Sequence, residues 1–173
     1  MPSRLFTTPL AISTAFALTT LFLTTLLLTT AGCSAGGSAS MNGPDPRAEG
    51  AMTFYRLDGD RYPGDPVPPG ATLLHGYSVI KACRIDDRRT REEILGAFDD
   101  GIADHRGGVP VDCFRPRHAI RIVRDGVTTD YLICFQCSNW MIWKDDERTG
   151  GGDTSDSALT TFDRILDDCT PAA

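Results

Sequence analysis

His118-Ala-Ile-Arg-Ile-Val-Arg-Asp125-Gly126-Val-Thr-Thr-Asp-Tyr-Leu-Ile-Cys134-Phe135 is the stretch whose reading decides the fold. β-Branched and aromatic residues alternate on both sides of Asp125-Gly126. That pair suits a two-residue type I′ hairpin turn, in which both central residues need positive φ. With those two residues as the turn, Arg124 faces Val127 and His118 faces Ile133. One side of the ribbon then carries His118, Ile120, Ile122, Tyr131, Ile133 and Phe135 and is the core side. The other carries Arg117, Arg121, Asp130, Cys134 and Gln136.

Working outward towards the N-terminus, Val111–Phe114 reads as a short extended piece. Before it, Thr90 as N-cap with Glu93 three residues on opens a helix whose Ile94, Leu95, Phe98 and Ile102 recur at helical spacing, stopped by Gly107-Gly108. Tyr77–Ile85 has the composition of a strand. Towards the C-terminus, Trp140-Met-Ile-Trp143 adds a third antiparallel strand, with its indoles read as core or sheet-edge residues. Lys144–Asp156 reads as a charged, Gly-rich loop, including Asp145-Asp146-Glu147 as a solvated charge run like Asp86-Asp87. Ser157–Asp168 places Leu159, Phe162, Ile165 and Leu166 on one helical face. The order β-α-β-β-β-α predicts an α+β domain over 73–173: an antiparallel sheet of about four strands with two helices on one face. Residues 41–70 are rich in Pro, Gly and Asp, and Met52–Leu57 within them reads as a docked piece or an edge strand.

The N-terminal region has a different character. After Arg4, residues 5–31 carry no charge and end on Thr30-Ala31-Gly32-Cys33. This resembles the lipobox of bacterial lipoproteins, with Thr30 where an aliphatic residue is usual. It implies a signal peptide over 1–32, lipid on Cys33, and a flexible tether over 33–72 that begins Ser34-Ala-Gly-Gly-Ser-Ala-Ser40. The alternative is an uncleaved membrane helix, since the uncharged run is long enough to span a bilayer. Several acyl chains, each buried CH₂ worth about 0.8 kcal/mol, make a stable anchor. Ser34 at the position after Cys33, in place of aspartate, directs the expectation for this cell-envelope lipoprotein to the outer membrane if the cell is Gram-negative. Loss of Arg4, the one charge in 1–32, takes the formal charge from −6 to −7. An acidic domain with no basic stripe is repelled by phosphate backbones, so nucleic acid is not an expected partner. The G-x-S-x-G, P-loop, H-E-x-x-H and G-x-G-x-x-G patterns are all absent from the sequence.

The densest chemistry lies in Cys113-Phe-Arg-Pro-Arg-His118 and Cys134-Phe-Gln-Cys137. Three cysteines and a histidine at this spacing could form a Cys₃His zinc site from Cys113, His118, Cys134 and Cys137. In a regular strand Cys134 and Cys137 point to opposite faces, so a shared metal requires the chain to turn between them. An exported domain favours disulfides and no cofactor: a bridge within Cys113, Cys134 and Cys137, with Cys113 nearly opposite Cys137, and a second between Cys83 and Cys169. With Cys33 lipidated, five cysteines remain, so at least one is unpaired or bound to something else. Arg115 and Arg117 could clamp an anion or pair with Asp112 or Asp130. His118 alone reads as a satisfied histidine at the sheet margin.

Residues 113–120 and 130–137, together with Phe162-Asp-Arg-Ile-Leu166, resemble a family of bacterial lipoproteins that share this double signature. The resemblance covers about residues 75–168 and carries over no catalytic role. Two functional expectations result: a membrane-anchored, non-enzymatic binding or structural module stiffened by disulfides, or a small metal- or thiol-dependent protein using Cys113, His118, Cys134 and Cys137.

Overall fold

The computed structural model describes residues 45–107 and 113–171. The leader, Cys33, the Ser34–Ser40 tether, Gly108, Val111 and Asp112 lie outside the described residues. A 3₁₀ turn at Pro46–Glu49 is followed by β1 (Ala51–Leu57), β2 (Leu73–Leu74), β3 (Tyr77–Ile85), α1 (Arg88–Ala103), β4 (His118–Arg124), β5 (Val127–Cys134), β6 (Asn139–Lys144), β7 (Glu147–Asp153) and α2 (Leu159–Asp168). The strands form one antiparallel sheet in the order β2-β3-β1-β4-β5-β6-β7, curled into a half-barrel.

The hairpin at the centre of the sequence reading has the expected register. Arg124 faces Val127 and His118 faces Ile133, across Asp125 (φ 52°) and Gly126 (φ 79°). The α+β class stands, but the sheet of about four strands is corrected to seven. The first added strand is β1, expected in the tether or at an edge. It lies inside the sheet, pairing with β3 on one side and β4 on the other, so the folded unit takes in residues well before Leu73. Met52 and Phe54 are buried on the helix-covered side, and Leu57, past a register shift, on the opposite side. A short strand buried on both faces lacks clean alternation, which is why it resembled a docked fragment.

β7 is the second correction, because the Gly-rich loop is an edge strand. A Cβ on Gly151 would collide with the Trp140 carbonyl oxygen, and one on Gly152 would stand 3.2 Å from the Trp140 indole. The glycines therefore allow β7 to lie close against β6. Asp145 and Asp146, read as a solvated run, form the β6–β7 turn at φ 47° and 67°, and Asp145 Oδ1 accepts the Thr128 N–H at 2.9 Å. Asp87 likewise has a structural role. It caps α1 in place of the expected Thr90, its carboxylate accepting from both the Thr90 N–H and Oγ1 at 2.8 Å, because the helix begins two residues earlier than Thr90. Cys113 and Phe114 belong to an extended lead-in to β4 and not to a strand.

Both helices lie on one face of the sheet. Ile94, Leu95 and Phe98 of α1 and Phe162, Ile165 and Leu166 of α2 share a core with Met52, Phe54, Ile120, Ile122 and Ile133. Each fully buried large apolar side chain contributes about 1.5–3 kcal/mol. The opposite face has its own small core of Leu57, Leu74, Tyr77, Ala119 and Leu132, with Trp143 packed against it. The β2–β3 hairpin curls over that face. Its turn residue His75 stacks on the Trp143 indole at 4.2 Å between centroids.

Candidate functional site

Cys113–His118 and Cys134–Cys137 meet where β4 begins and β5 ends. The lead-in to β4 is held by the Leu57 N–H donating to the Arg117 carbonyl at 2.9 Å and by the Tyr77 hydroxyl donating to the Phe114 carbonyl at 3.2 Å. Gly59 lets this segment approach, since a Cβ there would stand 3.0 Å from the Arg115 carbonyl. After β5 the chain turns sharply over residues 135–138, with the Cys137 N–H donating to the Cys134 carbonyl at 3.2 Å and Ser138 at φ 52°. This is the turn that a common environment for Cys134 and Cys137 requires.

The turn brings Cys134 and Cys137 to disulfide distance, with Cα atoms 5.2 Å apart. Cys113 does not pair with Cys137. Its half-buried thiol sits 3.2 Å from the Cys137 sulfur and is the free cysteine among the described residues. Cys83 and Cys169 form the other pair at disulfide distance, tying β3 to the end of α2.

His118 projects to the opposite side of the sheet from Cys134, as strand alternation requires. Its ring lies among Phe54, Phe135 and Phe162, and its Nε2 is 3.0 Å from Asp163 Oδ1. Arg56 stands 3.3 Å from the same carboxylate. The expected Cys113, His118, Cys134 and Cys137 set is therefore divided between two faces. Among the described residues, no group of three His, Cys, Asp or Glu side chains is arranged to hold a metal ion. Arg117 pairs with Asp60 at 2.7 Å rather than with Asp130, and Arg115 lies over the Tyr62 ring.

Burial pushes the His118 pKa below 6.5, against the opposing pull of Asp163. The neutral ring donates through Nε2–H, and Nδ1 has no hydrogen-bond partner among the described residues. The unfolded chain therefore takes up a proton at higher pH than the folded one. The His118 contribution to stability is fully present above about pH 6.5 and is lost as pH falls from there through the lower pKa of the folded state. The urea midpoint should drop between pH 7 and pH 5, and His118→Gln should flatten that drop. Equal slopes in the two proteins would refute the assignment.

A second buried network was missed in the sequence. Asp130, 2% exposed, accepts two hydrogen bonds of 2.7 Å from Arg121 Nε and Nη2, while His75 Nε2 lies 2.7 Å from its Oδ2. The hydrogen bond to Asp130 raises the Arg121 pKa above its already high ordinary value. The Arg121–Asp130 pair was available from the hairpin register, which sets these residues opposite each other. For His75 the local signal was His75-Gly76 between Leu74 and Tyr77, a two-residue turn with φ of 48° and 88°.

At the 135–138 turn, Arg117, His118, Phe135, Gln136, Asp156 and Leu159 line an open cavity of about 280 Å³. Compared with known proteins, the chain matches no family model, no curated protein and no solved structure.

Proposed function

We propose that this chain is a lipid-anchored binding module of the cell envelope, held at the membrane through Cys33 and stiffened by its cysteine pairs. The observation that carries the binding reading is the cavity at the 135–138 turn, because both signature segments contribute to it: Arg117 and His118 from one, Phe135 and Gln136 from the other. Its volume is close to the lower end of small-molecule sites, about 300 Å³. Among its lining residues Phe135 and Leu159 are apolar, and Arg117, Gln136 and Asp156 carry polar groups. This combination suits a small, mostly apolar molecule with a few hydrogen-bonding groups. Binding is preferred to catalysis because the sequence carries none of the G-x-S-x-G, P-loop, H-E-x-x-H or G-x-G-x-x-G patterns. The Cys33 anchor rests on the leader sequence. No helix among the described residues is long and apolar enough to cross a membrane.

A fragment screen read by amide chemical shifts tests the site. Ligands should perturb residues 117–118 and 135–136, and Leu159→Arg, which fills the cavity, should abolish those shifts. Hits that persist in Leu159→Arg or that map elsewhere would sink this reading. Membrane fractionation tests the address: Cys33→Ser should move the protein to the soluble fraction, and continued sedimentation would overturn the anchor. A second reading as a thiol-dependent protein is favoured by the sulfur contact of Cys113 with Cys137. Stoichiometric zinc with free thiols in the purified chain would replace the disulfide reading with the metal one.

A further inference from the structure

Three sulfurs meet at the end of β5, and they differ in access. Cys134 and Cys137 are 1% and 3% exposed, so a reagent in solution cannot approach either sulfur of that pair directly. Cys113 is less buried than either, in the half-buried range, and touches the pair with its sulfur 3.2 Å from that of Cys137. A separation of about 3–3.5 Å is the range from which an attacking atom reacts without further approach. Thiol–disulfide exchange needs a thiolate in line with a disulfide sulfur and a second sulfur able to leave. Cys113, Cys137 and Cys134 supply the attacking, central and leaving sulfurs in that order, the attacking sulfur 3.2 Å from the central one. We propose that Cys113 is the port of a three-cysteine exchange site, through which thiols outside the protein reduce the buried Cys134–Cys137 bridge.

The steps balance. Cys113 gives its proton to solvent, and its thiolate attacks the Cys137 sulfur. The Cys113–Cys137 bond forms as the Cys134–Cys137 bond breaks, and the electron pair leaves on Cys134, which takes up a proton. The new bridge has one accessible sulfur, Cys113. An external thiolate attacks it, forming a mixed disulfide there and releasing Cys137 as a thiolate. A second external thiolate attacks the external sulfur of that mixed disulfide, releasing Cys113. Two external thiols become one disulfide, and the protein bridge becomes two thiols. With a small disulfide as the oxidant, the same steps run in reverse. The substrate class is therefore a small thiol or disulfide, or an exposed one on another protein.

This goes beyond the binding reading and does not depend on it, since a ligand in the cavity at Phe135 and Leu159 is neither required nor consumed. The test uses the full chain, purified without reductant and exposed under native conditions to dithiothreitol. Acid quenching, alkylation and non-reducing peptide mapping then follow each cysteine. The Cys134–Cys137 bridge should open roughly ten-fold or more faster in the parent protein than in Cys113→Ser. Alkylating Cys113 with iodoacetamide in the folded parent protein, which needs no variant to fold, should slow the opening to the same extent. Cys134→Ser, which removes the leaving sulfur, should accumulate a Cys113–Cys137 bridge. Opening at the parental rate after Cys113 is blocked, a Cys113 thiol that iodoacetamide does not reach, or free Cys113 and Cys137 thiols in oxidised Cys134→Ser would each overturn the proposal.

Discussion

Asp130→Asn is expected to lower the unfolding free energy by about 3 kcal/mol, measured by urea denaturation at pH 7. The carboxylate is 2% exposed and holds together three elements: Arg121 of β4, its own strand β5, and His75 of the β2–β3 turn. Removing one partner of a buried ion pair costs about 3–5 kcal/mol, because the remaining charge is left without compensation. The lower end applies because Arg121 is about a third exposed and can turn towards water. The loss should be concentrated at one edge. Without Asp130 the β2–β3 turn loses its buried polar anchor, while β3 stays paired with β1 and Tyr77 stays bonded to the Phe114 carbonyl, so amides of Leu74 and Tyr77 beside the turn should lose exchange protection before those of β4 and β5. In a double-mutant cycle with Arg121→Gln, a coupling of about 1–3 kcal/mol is expected. Strict additivity of the two substitutions would show that the pair contributes no net interaction.

Cys83→Ser with Cys169→Ser should cost a similar amount by a different route. The pair at disulfide distance spans a sequence separation of 86, and a bridge closing a loop of that length in the unfolded chain is worth about 4–5 kcal/mol by chain entropy. Substitution removes that constraint and leaves the native contacts largely in place, because Ile165 and Leu166 still anchor the end of α2 in the core. The parent protein in strong reductant should fall to the stability of the double variant, and the double variant should not respond to reductant. Parent protein insensitive to reductant would show that Cys83 and Cys169 are not bridged in solution. The Cys134–Cys137 pair closes a far shorter loop, worth about 2 kcal/mol by the same chain-entropy relation, so its opening should cost global stability less than loss of Cys83–Cys169.

The parts of the fold legible in the sequence are those specified by neighbours along the chain. Asp125-Gly126 determined the turn type, and the turn type determined which side chains of β4 and β5 share a face. Leu159, Phe162, Ile165 and Leu166 announced the buried side of α2 in the same local way. β1 was not legible as a central strand because the choice of its neighbours lies in β3 and β4, far along the chain. β7 was concealed by its glycines, which are poor strand formers in isolation and fit because Trp140 lies directly against them. Asp145-Asp146 looked like any exposed charge run, although aspartate tolerates the left-handed conformation that the turn requires.

The same division holds for the candidate site. The sequence alone determined which residues form the chemistry-bearing segments, Cys113–His118 and Cys134–Cys137, and that strand alternation separates His118 from Cys134. Only the tertiary structure decided that the 135–138 turn bends Cys137 back to Cys134, that Cys113 stands beside the pair, and that His118 lies among three phenylalanines with Asp163 of α2. His75 makes the clearest contrast. Its turn was written locally in His75-Gly76, but its partners Asp130 and Trp143 were not. Periodicity and turn chemistry act over a few residues and survive in the bare sequence, whereas these contacts exist only once burial of two separate cores has curled the sheet and brought its distant strands together.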